Sequence, residues 1–319
     1  MPLLALSLAF TAVVFGSAAP ASAAAVTINL CAVPGSFDPL PTTNPSLSIP
    51  IWGFATTTTP GVCTAAAPTL PGPQLTVTEG DSVTLSVTNA LPAGHSITLE
   101  ADGIDFAPGA DSAAPGAVVT RTFTASAAGT YLYESGGDAG LQEAMGLYGA
   151  LLVRPAVAGR AYDAANSNYD RESVLVLSAV DPAYNAAAAP VAHNYAATYW
   201  LINGRSYPDT AAVLGSPGQR VLLRYLNAGY DNTTMSLLGA REWVYARDSR
   251  PLNNPFDAVA ETFPAGATED TFVTVPAGAA PSQFGFPLFN RQLHLTNGTQ
   301  MATSPTPVTG GGMLTFLHP

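Results

Sequence analysis

The chain has 319 residues, of which 22 are acidic and 11 are basic, and its formal net charge is −11. This length is sufficient for two ordinary domains, each with its own hydrophobic core. The acidic balance argues against nucleic acid and anionic lipid as partners, because an acidic surface repels both. We therefore expect neither a nucleic-acid-binding protein nor one that attaches to a membrane by charge.

The first 23 residues are typical of a secretory signal. An apolar segment runs from Leu3 to Val14, too short to span a bilayer comfortably, and the triplet Ala21-Ser22-Ala23 follows as a cleavage site. No Lys or Arg precedes the apolar segment, so an uncleaved anchor and a start further upstream are the alternatives. The sequence predicts a signal peptide over 1–23 and a secreted or extracytoplasmic protein, in the periplasm or at the cell surface, with no membrane attachment after cleavage.

The next stretch, up to residue 68, is rich in Pro, Thr and Ala and contains both cysteines, Cys31 and Cys63. In an oxidising compartment a single pair of cysteines indicates a disulfide. The bond would close a loop of roughly 33 residues, which in the chain-entropy model stabilises a fold by about 3–4 kcal/mol. We expect it to attach an N-terminal arm to the first domain.

From residue 71 onward, apolar and polar residues alternate as they do in half-buried strands. One such stretch, 75–78, precedes a Glu-Gly-Asp turn at 79–81, and another, 83–87, follows it. Alternation returns at 118–123 and at 131–133, with turn residues between. This spacing is typical of a β-sandwich. The aromatic residues Trp52, Phe54, Tyr131 and Tyr133 are expected in its core rather than in a binding patch.

Four segments resemble the multicopper oxidase family. The stretch TYLYESGGDAGLQEAMGLYGALLV (130–153) is similar to the end of the first cupredoxin domain of that family, and PGPQLTVTEGDSVTLSVTNALP (71–92) is similar to the opening of that domain. The Leu-Ile-Asn-Gly element at 201–204 and PGQRVLLRYLN (217–227) resemble its second domain. The resemblance extends from about Pro71 to Phe316.

This resemblance implies an all-β fold of two cupredoxin-like Greek-key β-sandwich domains. The expected division is a first domain over 24–155 with the disulfide-bonded N-terminal arm, a linker over 156–195 and a second domain over 196–319. The linker contains one apolar stretch, 174–177, and the Asn203-Gly204 pair marks a turn early in the second domain.

Members of the family bind copper through four His-x-His pairs and a type 1 site of two His and one Cys. This chain has four histidines, His95, His193, His294 and His318, and no His-x-His pair; neither cysteine adjoins a His. The positions that correspond to copper ligands hold Thr98, Glu100, Glu134, Gly136, Ser236, Leu238, Ala240, Leu288 and Asn290. For the first pair a second alignment is open, with Glu100 and Asp102 at the ligand positions. On both alignments His95 is expected in a loop.

Two hypotheses follow from the missing ligands. The first is a non-catalytic binding or structural module with no cofactor, although copper is expected for the family. It would act on an unknown ligand, or on a second copy of itself, through an interdomain groove with Leu237, Leu238 and Leu288 as contacts. The alternative is a residual metal-dependent enzyme, in which Glu100, Asp102 and Glu134 bind a hard cation such as calcium, because such ions prefer oxygen ligands.

Overall fold

The computed structural model describes residues 23–64, 66–187, 194–298 and 310–319. Residues 1–22, which form nearly all of the predicted signal peptide, lie outside these ranges, and so does His193. Among the described residues, no helix has the length and apolar character that crossing a bilayer requires. Regular structure in the described ranges is almost entirely β-strand, and the expected all-β class is confirmed.

The described part of the first half contains ten strands and one short helix. They are β1 (Ala25–Phe37), β2 (Ile49–Thr56), β3 (Leu75–Thr78), β4 (Ser82–Asn89), β5 (Ile97–Thr98), β6 (Glu100–Ala101), β7 (Ser112–Ala113), β8 (Val118–Thr124), β9 (Gly129–Glu134), α1 (Leu141–Met145) and β10 (Tyr148–Arg154). One sheet has the order β2-β1-β4-β8 and the opposing sheet the order β3-β10-β9-β6. Strands β5 and β7 form a separate ribbon. These sheets form the first sandwich.

Strands β3 and β4 flank the predicted turn at 79–81 but belong to opposing sheets. Strand β3 pairs with β10, whereas β4 pairs with β1 and β8. Asp81 holds the crossing in place, because its carboxylate accepts hydrogen bonds from the backbone N–H groups of Ala24 and Thr78, both at 2.8 Å. The turn therefore carries the chain from one sheet to the other and does not close a hairpin.

The described part of the second half contains eleven strands, one 3₁₀ turn and one short helix. They are the 3₁₀ turn (Ala165–Ser167), β11 (Arg171–Val180), α2 (Pro182–Asn185), β12 (Tyr199–Ile202), β13 (Val213–Leu214), β14 (Arg220–Asn227), β15 (Thr233–Leu237), β16 (Glu242–Arg247), β17 (Arg250–Ala258), β18 (Glu261–Phe263), β19 (Thr268–Thr274), β20 (Phe286–Asn290) and β21 (Leu314–His318). Their sheets have the orders β12-β11-β14-β19-β16-β17 and β13-β21-β20-β15-β18.

The range 156–195, predicted as a linker, contains strand β11. This strand pairs in parallel with β14 and antiparallel with β12, so it is an inner strand of the six-stranded sheet. Its apolar residues Leu175, Val176 and Leu177 are buried, which explains why a continuous apolar stretch occurs within a polar segment. Residues 171–180 therefore belong to the second sandwich, and only the segments that flank them connect the two.

The alternating residues of the first sandwich fill the space between its two sheets. Phe54, Tyr131 and Tyr133 are buried there as expected, and Trp52 packs against the same cluster with part of its surface exposed. The rings of Phe54 and Tyr133 lie 5.3 Å apart, and the Tyr133 hydroxyl donates to the backbone oxygen of Pro73 at 2.7 Å. Burial raises the pKa of Tyr133 well above its usual range.

The predicted disulfide between Cys31 and Cys63 is present. Cys31 lies in β1, and Cys63 lies in the segment that follows β2. Strand β1 pairs antiparallel with β2 and in parallel with β4. The N-terminal arm is therefore an integral part of the first sheet, and the disulfide connects that sheet to the segment leading into β3.

An apolar layer joins the two sandwiches. Strands β2, β9 and β10 meet β11, β12 and β14 there, and its buried residues are Ile49, Ile51, Leu70, Leu132, Tyr148, Ala150, Val176, Val180, Leu201 and Leu226. Close packing of this kind leaves no room for a ligand at the centre of the contact. Any interdomain binding surface must therefore lie at the rim of this layer.

A buried ionic network also joins the two sandwiches. Arg224 of β14 has no exposed surface; its Nε donates to Glu172 at 2.6 Å and its Nη1 donates to Asp270 at 2.7 Å. The same Nη1 donates to the hydroxyl of Thr130 in β9 at 2.8 Å, and Arg154 of β10 pairs with Glu172. Burial alone would lower the pKa of Arg224, but Asp270 and Glu172 outweigh that effect and raise it. The buried guanidinium of Arg224 thus forms hydrogen bonds with residues of both sandwiches.

Candidate functional site

Three positions that the resemblance assigns to copper ligands of the first domain lie together. Glu100 of β6 is the direct cross-strand partner of Glu134 in β9. A Cβ at Gly136 would lie 3.2 Å from a carboxylate oxygen of Glu100 and 3.3 Å from one of Glu143. Thr98 lies two residues before Glu100, in β5, where its backbone N–H donates to the Ser135 hydroxyl at 2.8 Å. The result is a cluster of carboxylates.

Glu134 has the most perturbed environment in this cluster. Its burial, and then the negative charges of Glu143, Asp102 and Glu100, raise the pKa of Glu134 to about 7. Burial and the charge of Glu100 also raise the pKa of Glu143. Within the described ranges, none of these carboxylates forms an ion pair. Their negative charge is therefore balanced only by protons or by solutes.

The carboxylates face a cleft between the two sandwiches. This interdomain cleft has a volume of about 270 Å³; Asp102, Glu134 and Glu143 line it from the first sandwich, and Tyr195 and Tyr230 line it from the second. The tyrosine rings lie 4.9 Å apart and nearly perpendicular. Both hydroxyl groups donate to backbone carbonyl oxygens, at 2.7 and 2.5 Å, which fixes the positions of the rings.

The corresponding positions of the second domain do not reach this cleft. Ser236, Leu238 and Ala240 line a separate surface depression of about 700 Å³. Leu288 has no exposed surface and lies in the second core. Asn290 is equally buried, and its side-chain amide donates to Gln292 at 3.0 Å. Of the five second-domain positions, three therefore lie at a surface separate from the cleft and two are buried.

The prediction that Leu237, Leu238 and Leu288 line an interdomain groove is wrong. Leu237 and Leu288 are cross-strand partners in β15 and β20, and both point into the core of the second sandwich. Because side chains alternate along a strand, the residue after Leu237 points outward, and Leu238 is 51 % exposed. One of the three expected contact residues is thus at the surface, and it is not in the interdomain cleft.

The three described histidines lie outside both the interdomain cleft and the Leu238 depression. His95 lies in a loop, as expected, and its Nδ1 forms a hydrogen bond with Asp138 at 2.7 Å. His294 stacks on Trp200 with ring centroids 4.5 Å apart, and burial lowers the pKa of His294. His318 is exposed at the end of β21. None of these three residues lines the interdomain cleft or the Leu238 depression.

Sequence reasoning did not identify Glu143, Tyr195 or Tyr230 as site residues. Glu143 lies in α1, directly before the Gly-Leu-Tyr-Gly element, and the short helix turns it back towards β6 and β9. Tyr195 and Tyr230 lie in loops, where no periodic pattern marks them. The described residues contain no ready-made group of three His, Cys, Asp or Glu ligands for one ion. The assignment of Glu100, Asp102 and Glu134 to a hard cation stays a prediction.

Comparisons with known proteins agree with this architecture. A family model described as multicopper oxidase matches residues 56–157. Copper resistance protein A of Pseudomonas syringae pv. tomato is 37% identical over 115 residues, which cover 34% of this chain and 18% of that protein. Multicopper oxidase MmcO of Mycobacterium tuberculosis is 27% identical over 252 residues, which cover 67% of this chain and 48% of that protein. The chain thus spans less than half the length of these relatives.

A solved structure shows the same fold over nearly the whole chain. The blue copper oxidase from Nitrosomonas europaea superposes with a TM-score of 0.74 at 20% identity, covering 92% of this chain and 86% of that one. At this identity the likeness concerns the fold, and both predicted sandwiches are included in it. What the site binds must be argued from the residues of this chain.

Proposed function

The chain belongs to the multicopper oxidase family, and on that premise we propose that it is an extracytoplasmic binding protein without copper chemistry. One observation carries the proposal: the chain has no His-x-His pair, and the positions that the resemblance assigns to copper ligands hold carboxylate, hydroxyl, amide and apolar groups. Copper centres of this kind are held by imidazole and thiolate. Residues 1–23, with their apolar segment and cleavage triplet, support export from the cytoplasm.

The residues present do not fit copper. Both cysteines are joined in the disulfide, which removes the thiolates. His95 is bonded to Asp138 in its loop, and His294 is stacked on Trp200 in the second sandwich. The carboxylates at the first-domain positions are hard oxygen donors that suit other cations better than redox copper. We therefore assign no reaction step to copper in this chain.

The chemistry of the interdomain cleft favours a positively charged ligand. Asp102, Glu134 and Glu143 contribute negative charge and have no basic partner in the described ranges. A bound cation would offset the burial and the repulsion that together raise the pKa of Glu134. Tyr195 and Tyr230 add two fixed aromatic rings, whose faces attract organic cations. A small organic amine therefore matches the cleft in charge, in wall chemistry and in size.

A direct test is a calorimetric titration of the protein with 1,4-diaminobutane. We expect saturable binding that weakens as the pH falls through about 7, because protonation of Glu134 removes one of the attracting charges. The double variant Glu134→Gln/Glu143→Gln should bind roughly tenfold more weakly or worse. Asp257→Asn, which changes an acid that lines the Leu238 depression, is the matched control and should bind as the wild type does.

Parallel titration with calcium distinguishes the hard-cation alternative. If calcium binds more tightly than the diamine, and Glu100→Gln and Asp102→Asn abolish that binding, the carboxylates form a metal site instead. If neither cation binds, or if the double variant binds the diamine as the wild type does, the proposed role of the cleft is wrong.

A further inference from the structure

A second cavity lies on the other side of α1 from the interdomain cleft. Glu143 of α1 lines the cleft, whereas Leu141 and Met145 of the same helix line this cavity. Its volume is about 430 Å³, which is in the range of small-molecule sites. Its other apolar walls come from the N-terminal arm, and they are Pro34, Pro50, Ile51 and Trp52. We call it the Trp52 cavity.

His95 contributes an imidazole ring to the wall of this cavity. Its ring centroid lies 4.6 Å from that of Trp52, and its Nδ1 lies 2.7 Å from Oδ2 of Asp138. Because the Asp138 carboxylate accepts the proton on Nδ1, the neutral imidazole carries its lone pair on Nε2. No residue in the described ranges is bonded to Nε2. This atom is therefore available to accept a hydrogen bond from a ligand.

Buried side chains hold this histidine in place. Oδ2 of Asp138 also accepts a hydrogen bond from Nε2 of Gln142 at 2.9 Å, and Gln142 has no exposed surface. Gln142 in turn accepts from the Ser135 hydroxyl at 2.7 Å. Asp138 adopts a φ of 57°, a left-handed conformation that aspartate tolerates better than most residues. The position of the His95 ring is therefore set by a hydrogen-bonded chain that ends at two buried side chains.

Asn185 of α2 is a second and independent indication of a ligand. It lines the cavity and is only 5 % exposed. Its Nδ2 donates to the backbone oxygen of Pro50 at 2.9 Å, but its Oδ1 has no hydrogen-bond partner among the described residues. An unpaired buried amide oxygen is costly, and in native proteins such groups usually have a partner. A ligand in the adjoining cavity can supply one.

We infer that the Trp52 cavity binds a small, planar, mainly apolar molecule that donates a hydrogen bond from an O–H or N–H group to Nε2 of His95. The aromatic ring of Trp52 and the apolar walls favour a planar hydrophobic body. The single free acceptor on His95 selects the donor group. This site is independent of the interdomain cleft and of the cation that we propose for it.

The pair indole and 1-methylindole tests the inference, because the two molecules share a ring system and differ in the N–H donor. We expect calorimetry on the wild-type protein to show saturable binding of indole, roughly five- to tenfold tighter than binding of 1-methylindole, as one net hydrogen bond provides. His95→Phe keeps a ring beside Trp52 and should reduce indole binding to the level of 1-methylindole. Leu141→Trp should fill the cavity and abolish binding of both.

The second stacked histidine provides the matched control. His294→Phe alters the Trp200–His294 stack of the other sandwich and should leave both affinities unchanged, as should Glu134→Gln in the interdomain cleft. Circular dichroism and thermal melting of each variant confirm that it is folded. The inference is overturned if wild-type protein does not distinguish the two probes, if it binds neither, or if folded His95→Phe still prefers indole.

Discussion

Replacing Asp270 by Ala is expected to destabilise the folded protein by about 3–5 kcal/mol. Asp270 is 1 % exposed, and its carboxylate accepts hydrogen bonds from Arg224, from the Thr130 hydroxyl and from the Tyr162 hydroxyl, the last two at 2.7 Å. The substitution would leave the guanidinium of Arg224 buried with Glu172 as its remaining acidic partner. An uncompensated buried charge is much more costly than the loss of a surface ion pair.

Urea denaturation followed by far-ultraviolet circular dichroism measures this effect. Asp105→Ala, at an exposed acid of the first sandwich, is the control and should change stability by less than about 0.5 kcal/mol. Because Thr130 belongs to the first sandwich and Asp270 to the second, we also expect Asp270→Ala to separate unfolding into two transitions. A variant that unfolds within about 1 kcal/mol of the wild type, in one transition, would show that the network contributes little.

Removal of the disulfide is expected to have the next largest effect. Cys31→Ser/Cys63→Ser opens a loop whose ends are 32 positions apart, which should cost about 3–4 kcal/mol in the chain-entropy model. The midpoint of urea unfolding of the double variant, compared with the wild type under non-reducing conditions, checks this. Under reducing conditions the two proteins should differ little, and a large remaining difference would indicate that lost packing, not the cross-link, is responsible.

The disulfide was expected to attach an N-terminal arm to the first domain, and the structure shows that this arm also contacts the second. The arm includes β2, whose residues Ile49 and Ile51 belong to the apolar layer between the sandwiches. Loosening the arm therefore exposes part of the face of β11 and β14. We expect hydrogen exchange of the double variant to increase in those two strands of the second sandwich as well as in β1 and β2.

Local patterns made much of the fold predictable. The alternation at 83–87 predicts a strand, and β4 is present there, although it is buried on both faces along most of its length. The two cysteines have no other partner to pair with. At the predicted turn, Asn203 and Gly204 both adopt positive φ, as a tight turn requires. Local patterns could not show that β3 and β4 lie in different sheets or that β11 belongs to the second sandwich, because those facts depend on which distant strand each one pairs with.

The site was predictable in its residue types and not in its geometry. The resemblance assigned both Glu100 and Glu134 to copper-ligand positions, and the two residues are direct cross-strand partners. It could not show that Leu288 points into the core, since one step along a strand reverses the face on which a side chain lies. Nor could it reveal Tyr230, which reaches the cleft from a loop of the other sandwich.

We propose that this chain keeps the multicopper oxidase scaffold without its copper chemistry. The most direct test is to load the purified protein with copper under oxidising conditions, remove free metal, and then measure bound copper, the visible spectrum and oxygen uptake with a phenolic substrate. Our account predicts no stoichiometric copper, no blue absorption and no oxygen uptake above that of the buffer. Retained stoichiometric copper with a blue absorption band, or oxygen consumption that depends on the substrate, would contradict it.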